Sequence, residues 1–137
     1  MHAEKQRRGL AVVRMLVGVI FITHGWPKLA AALADPRVPQ FAAQLHRMGF
    51  VPGVGWAWAV TLVEFLGGVC LLLGVLVPVA AALIGIEMVV AGVTVNLARG
   101  YYWTRGGWEM PLILAVLCGV LALTSPGRTP AARAERR

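Results

Sequence analysis

Charge is scarce in this chain, and acidic charge is the scarcest. Only 14% of its 137 residues are charged, with six Asp and Glu against thirteen Lys and Arg. Soluble domains carry about 25% charged residues. A small soluble domain must cover itself with polar surface. With 58% hydrophobic residues and a mean hydropathy of +0.72, this chain reads as one whose solvent is the bilayer. Cysteine is nearly absent. Cys70 and Cys118 cannot build a disulfide framework or a four-thiolate zinc site, and they form no Cys-x-x-Cys pair. No Gly-x-Gly-x-x-Gly or Walker A loop announces a nucleotide, no His-x-x-x-His pair announces a metal, and no haem or flavin motif is present. The length leaves no room for a soluble catalytic domain beside membrane helices. At about 20 residues per span, four spans fit and six would leave almost nothing.

What is present is a row of apolar segments. The first runs from Leu10 to Leu33, interrupted by Arg14, His24, Pro27 and Lys28. Asp35-Pro36 and Pro39 mark a loop. Gln40–Phe50 then carries Phe41, Leu45 and Met48 at helical spacing, with Gln44 and Arg47 between them. It is too short and too polar to span and reads as an interfacial helix. The second segment, Trp56–Val77, contains Glu64 as its only charge; Pro78 marks a tight turn. The third, Val79–Ala98, holds Glu87 and Asn96. The polar aromatic loop Arg99–Gly107 leads to the fourth, Trp108–Thr124, which opens with Glu109. The organisation expected is all-α: a basic N-terminus at 1–9, an integral membrane four-helix bundle at 10–124 with a short interfacial helix between helices one and two, and a basic tail at 125–137 with no apolar face to bury. A competing reading takes the first segment as a secretory signal peptide cleaved after Ala34, leaving three spans.

The basic residues set an orientation. Lys5, Arg7, Arg8, Arg14, Arg128, Arg133, Arg136 and Arg137 lie at the two ends, eight in all. Arg37, Arg47, Arg99 and Arg105 lie in the loops between segments one and two and between three and four, four in all. The positive-inside rule then places both termini in the cytoplasm. Trp56, Trp58, Tyr101, Tyr102, Trp103 and Trp108 form an aromatic belt at the outer ends. Basic ends flanking apolar segments speak for anionic lipid and against nucleic acid.

Ionisable groups inside spans are costly, roughly 2.5–3.5 kcal/mol each at the centre, and therefore face protein or water. At 100° per residue, Arg14, Gly18, Phe21, Gly25 and Lys28 share one face, with His24 at its edge. Gly68 and Leu71 share the Glu64 face, and Ala91, Thr94 and Ala98 the Glu87 face. Small residues beside polar ones mark faces turned toward other helices, so Gly18, Gly25 and Gly68 are expected at a helix–helix contact. His24, Lys28, Glu64 and Glu109 are expected to form one polar region in the outer half. Lys28 and Glu64 are expected to lie close together, with Glu109 depth-matched as the direct partner of Lys28 and Glu64 bridged to them by water or ligand. Arg14 and Glu87 are candidates for a further pair or for ligand contact. The competing reading is simple charge pairing that fixes helix register, Lys28 with Glu64 or Glu109 and Arg14 with Glu87.

The stretch His24-Gly25-Trp26-Pro27-Lys28-Leu29 resembles the Gly-x-x-Lys signature of the DoxX family. Arg14 before it, the run Glu64-Phe65-Leu66-Gly67-Gly68-Val69-Cys70-Leu71-Leu72-Leu73-Gly74, the turn at Pro78 and Glu87-Met88 are similar to that family's further motifs. The resemblance spans Arg14 to Leu123. It implies a four-helix protein of the bacterial inner membrane. The family's name comes from a membrane subunit linked to thiosulfate:quinone oxidoreduction, and other members are associated with redox complexes and oxidative-stress responses. The expected function is a redox-associated membrane subunit that binds a quinone or another polar-headed ligand. Glu64 and His24 would be the catalytic proton-handling groups, with Lys28, Glu109, Arg14 and Glu87 as ligand contacts and no metal. A soluble or membrane partner would supply the electrons, and the chain itself could form homo-oligomers. The alternatives are a non-catalytic scaffold and a small-molecule transporter.

Overall fold

The computed structural model describes residues 1–125, excepting the side chains of His2 and Ala3. Five α-helices follow one another, with no strand among the described residues: α1 (His2–Ala34), α2 (Pro39–Arg47), α3 (Gly53–Leu73), α4 (Val77–Ala91) and α5 (Glu109–Thr124). Of the expected tail at 125–137, all but Ser125 lies outside the described residues.

The boundaries shift from those expected at points where backbone chemistry outweighs hydropathy. Gly53 is the first residue of α3, three residues ahead of the expected start at Trp56. α3 ends at Leu73 because Gly74 adopts a left-handed φ of 75° and its N–H closes on the Cys70 carbonyl at 2.9 Å. Glycine enters that conformation without a Cβ clash. Pro78 does not make the turn. It sits in the first turn of α4, where a missing N–H costs no hydrogen bond. The third segment changes pitch at its far end: α4 gives way at Gly92–Asn96 to a π-helical turn and at Leu97–Arg99 to a 3-10 turn. α1 continues through Pro27 for 33 residues.

Glycines set the packing of α1 on α3. A Cβ on Gly18 would lie 2.8 Å from the Gly68 carbonyl oxygen, one on Gly68 2.8 Å from the Ile22 nitrogen, and one on Gly25 2.7 Å from the Phe65 nitrogen. The expected contact of these three glycines is present, and the backbones touch. The register is antiparallel, since residues 18 and 25 meet residues 68 and 65 in reversed order. α4 and α5 are likewise antiparallel, with Gly85 against Cys118 and Gly92 against Pro111. The order of packing is α1 on α3, α3 on α4 and α4 on α5, while α1 and α5 meet only slightly. Near the chain ends Val17, Phe21, Leu71, Ile84, Cys118 and Leu121 fill the core. At the opposite end α2 lies across α3 over a smaller cluster of Ala32, Val38, Ala42 and Ala57.

α1, α3 and the continuous run Val77–Arg99 are long and apolar enough to cross a membrane. α5 is equally apolar but has 16 residues, about 24 Å of helix against a hydrocarbon core of about 30 Å.

Candidate functional site

The site begins with a buried ion pair. Lys28 Nζ on α1 donates to Glu64 Oε2 on α3 at 2.5 Å. Glu64 is 4% exposed, while the Lys28 side chain is about a third exposed and lies 5.4 Å from the centre of the Phe41 ring of α2. Glu109 is therefore not the direct partner of Lys28. The expectation failed because it measured depth from Cα positions. A helical side chain leans toward the N-terminus of its own helix. On antiparallel helices the Lys28 stem thus runs inward while the Glu64 stem runs outward, and the two converge across about one turn.

Glu109 serves the loop instead. Its Oε2 accepts from the Trp103 backbone N–H at 3.1 Å, at the first turn of α5. There a carboxylate also suits the helix dipole. Arg14 does not meet Glu87. Its guanidinium packs against Gly74, at the C-terminal end of α3 and the far end of the bundle from Lys28. Glu87 of α4 stands beside Glu64 and within range of the Lys28 charge, and its Oε2 is buried with no hydrogen-bond partner. Glu87 thus adds a second carboxyl beside the Lys28–Glu64 pair, with each of the three groups on a different helix.

Glu64 opens onto a cleft of about 340 Å³. This lies at the low end of the roughly 300–1,000 Å³ typical of small-molecule sites. Phe21 and His24 of α1 form one wall, Met88 and Ala91 of α4 the back, Met110 and Leu114 of α5 the other wall. Asn96, Trp103, Gly106 and Gly107 close its end. The cleft exists because α1 and α5 meet only slightly. The apolar residues Ile20 and Met110 stand exposed on its two sides.

The polar groups of the cleft are few and individually placed. His24 Nδ1 is 2.9 Å from the carbonyl oxygen of Ile20. A carbonyl only accepts, so Nδ1 carries the proton and Nε2 is the ring nitrogen left for a ligand. Asn96 Nδ2 donates to the Gly106 carbonyl at 2.7 Å and ties the π-helical turn to the loop. The backbone N–H groups of Gly106 and Gly107 bond within the loop, to Trp103 and Tyr102.

Of the site residues expected from sequence, Lys28, Glu64 and Glu87 form one cluster, and His24 shares the cleft with Glu64. Glu109 and Arg14 lie elsewhere. Asn96 and Trp103 were not expected at the site. An amide within an apolar span was a signal for the first; nothing in the sequence placed the loop tryptophan at the cleft. No group of three or more potential metal ligands occurs among the described residues. Cys118 is fully buried in the core and Cys70 is half-buried on another helix.

A helical membrane bundle with a charged pair at glycine-lined helix contacts is the class that this arrangement defines. The profile of the DoxX family matches residues 9–97, close to two-thirds of the chain, and the protein belongs to the DoxX family. No match was found among curated proteins or among solved structures. The matched region ends within the 3-10 turn at Leu97. The Lys28–Glu64–Glu87 cluster therefore belongs to the family's part of the chain, whereas Trp103 and the α5 wall of the cleft lie beyond it.

Proposed function

We propose that this DoxX protein is a redox-associated subunit of the bacterial inner membrane, with both termini cytoplasmic, whose cleft takes the head of a benzoquinone-type lipid. The observation that carries this reading is Glu64. It is a buried carboxylate paired with Lys28 that also lines a 340 Å³ cleft with apolar walls between α1 and α5. A lipid-soluble ligand can enter such a cleft from the bilayer, seat its polar head beside Glu64 and His24, and leave its tail among the exposed apolar residues of α1 and α5. Quinone chemistry moves two protons with two electrons. Glu64 and His24 are the proton-handling groups on the cleft, and Lys28 holds the Glu64 carboxylate in place. A partner redox protein exchanges the electrons.

The test is binding of a decyl-chain benzoquinone and benzoquinol to the purified protein in lipid nanodiscs, followed through tryptophan fluorescence. Saturable binding by at least one member of the couple is expected, and its loss in a Lys28→Met, Glu64→Gln double variant that keeps its melting temperature. Absence of binding by both members in the wild-type protein would leave the ion pair a structural tie and the chain a membrane scaffold.

A further inference from the structure

Acceptors outnumber donors among the polar side-chain atoms that the cleft offers a ligand, and one acceptor is the Glu64 carboxylate. His24 commits its N–H to Ile20 and leaves the Nε2 lone pair. Asn96 gives one amide N–H to Gly106 and keeps its carbonyl oxygen and its second N–H. Glu64 is a carboxylate whose one neighbouring cation, Lys28, bonds it from outside the cleft lining. The Gly106 and Gly107 amides are bonded within the loop, and Pro111 has no N–H. The side-chain donors that remain are the second Asn96 N–H and the Trp103 indole N–H, the latter on a residue 60% exposed at the rim.

Acceptors discriminate between the two forms of a quinone couple. A quinone presents two carbonyl oxygens, which only accept and so leave the Glu64 and His24 lone pairs without a donor. A quinol presents two O–H groups, which the same lone pairs receive. We infer that, within the proposed quinone site, the cleft selects the reduced, hydroxylated head over the oxidised one. The inference rests on the quinone reading and adds to it which redox form the site holds. A donor left without an acceptor, or the reverse, changes affinity by about tenfold for a single buried group. A tenfold preference for the reduced form raises the two-electron potential of the bound couple by about 30 mV.

The test compares three decyl-chain ligands on the full chain in nanodiscs under anaerobic conditions: the benzoquinol, the benzoquinone and the quinol dimethyl ether, which keeps the ring but has no O–H. The quinol is expected to bind about tenfold tighter than the quinone, and the dimethyl ether no tighter than the quinone. His24→Phe should reduce the quinol-to-quinone ratio about three- to tenfold. Its melting temperature should be unchanged, since His24 is exposed on the cleft. Equal affinities, a quinone preference, a dimethyl ether as tight as the quinol, or an unchanged ratio in His24→Phe would each overturn the inference while leaving a quinone site in place. Failure of all three ligands to bind would overturn the inference and the quinone reading together.

Discussion

Lys28 and Glu64 are held by two different constraints, and substitutions separate them. The first is electrostatic. Removing one partner strands the other, a cost of roughly 3–5 kcal/mol for a fully buried pair. Here it is smaller, because the Lys28 side chain is 32% exposed and its ammonium can turn toward the membrane surface. Lys28→Met is expected to destabilise more than Glu64→Gln, since it strands a carboxylate that is 4% exposed, whereas the ammonium left by Glu64→Gln can turn outward or donate to the glutamine amide oxygen. The double variant should recover most of the loss. A double-mutant cycle of melting temperatures in detergent checks this, and strict additivity would remove the coupling. The second constraint is steric. Gly25 and Gly68 bring α1 close enough to α3 for the pair to form. Gly68→Leu has no room for its side chain and should destabilise by roughly 1–3 kcal/mol. The measurement is a detergent melt, where an unchanged transition would refute the close α1–α3 contact. This contact was legible in the sequence because three glycines recur on the charged faces. The ion-pair partner was misassigned because depth along a helix does not by itself say where a long side chain ends.

Helices were legible as elements, and their ends and interruptions were not. Apolar length located α1, α3, α4 and α5, and the Phe41, Leu45, Met48 spacing located α2. The end of α3 at Gly74 depended on a left-handed turn, and the entry to α4 depends on another at Leu76, with φ of 50°. A non-glycine residue there carries roughly 1–2 kcal/mol of steric cost. Leu76 is 42% exposed and contributes little to the core. Leu76→Gly is therefore expected to raise stability by about 1 kcal/mol, read as a higher melting temperature; a lower one would mean that Leu76 packs more than its exposure indicates. The turn between α1 and α2 has a different control. Arg37 hydrogen-bonds the Asp35 side chain and holds its carboxyl below the ordinary 3.8. A carboxyl lowered in the folded state stabilises above its unfolded value, and the contribution fades as pH falls through the folded one. The pair is fully exposed, so the effect is small and local. Amide exchange in α2 should quicken below about pH 4 in the wild type and show no such step in Asp35→Asn. The cleft was the least legible feature. It depends on how far α1 and α5 stand apart, on the π-helical turn that places Asn96, and on the loop that carries Trp103 across. All three are set by tertiary packing between segments far apart in sequence.

At the scale of the whole molecule, one open seam in the helix ring accounts for both the cleft and the bundle's dependence on α5. α1, α3 and α4 are joined by close or charged contacts, whereas α5 is held chiefly by α4 and touches α1 only slightly. Its 16 residues, about 24 Å of helix, make it shorter than α1, α3 and the continuous run Val77–Arg99. A helix shorter than the hydrocarbon thickness can still span by thinning the bilayer locally. The antiparallel register supports spanning. Gly85 faces Cys118 and Gly92 faces Pro111, so α5 retraces α4 over its length. Leu121 near its end joins the core that also contains Val17 of α1 and Val77 of α4. That register brings the end of α5 to the same face of the bundle as the start of α1. The basic residues Lys5, Arg7, Arg8 and Arg14 stand at the start of α1, and Arg128, Arg133, Arg136 and Arg137 follow α5. In the topology proposed above that face is the cytoplasmic one, as the positive-inside rule expects, and the cleft then opens toward the opposite leaflet. A reporter joined before Met1 and one joined after Arg137 should both be protected from a membrane-impermeant label in intact cells and both react after lysis. If the two ends differ in labelling, α5 does not cross. If both are labelled in intact cells, the bundle is inverted and the cleft belongs to the cytoplasmic leaflet.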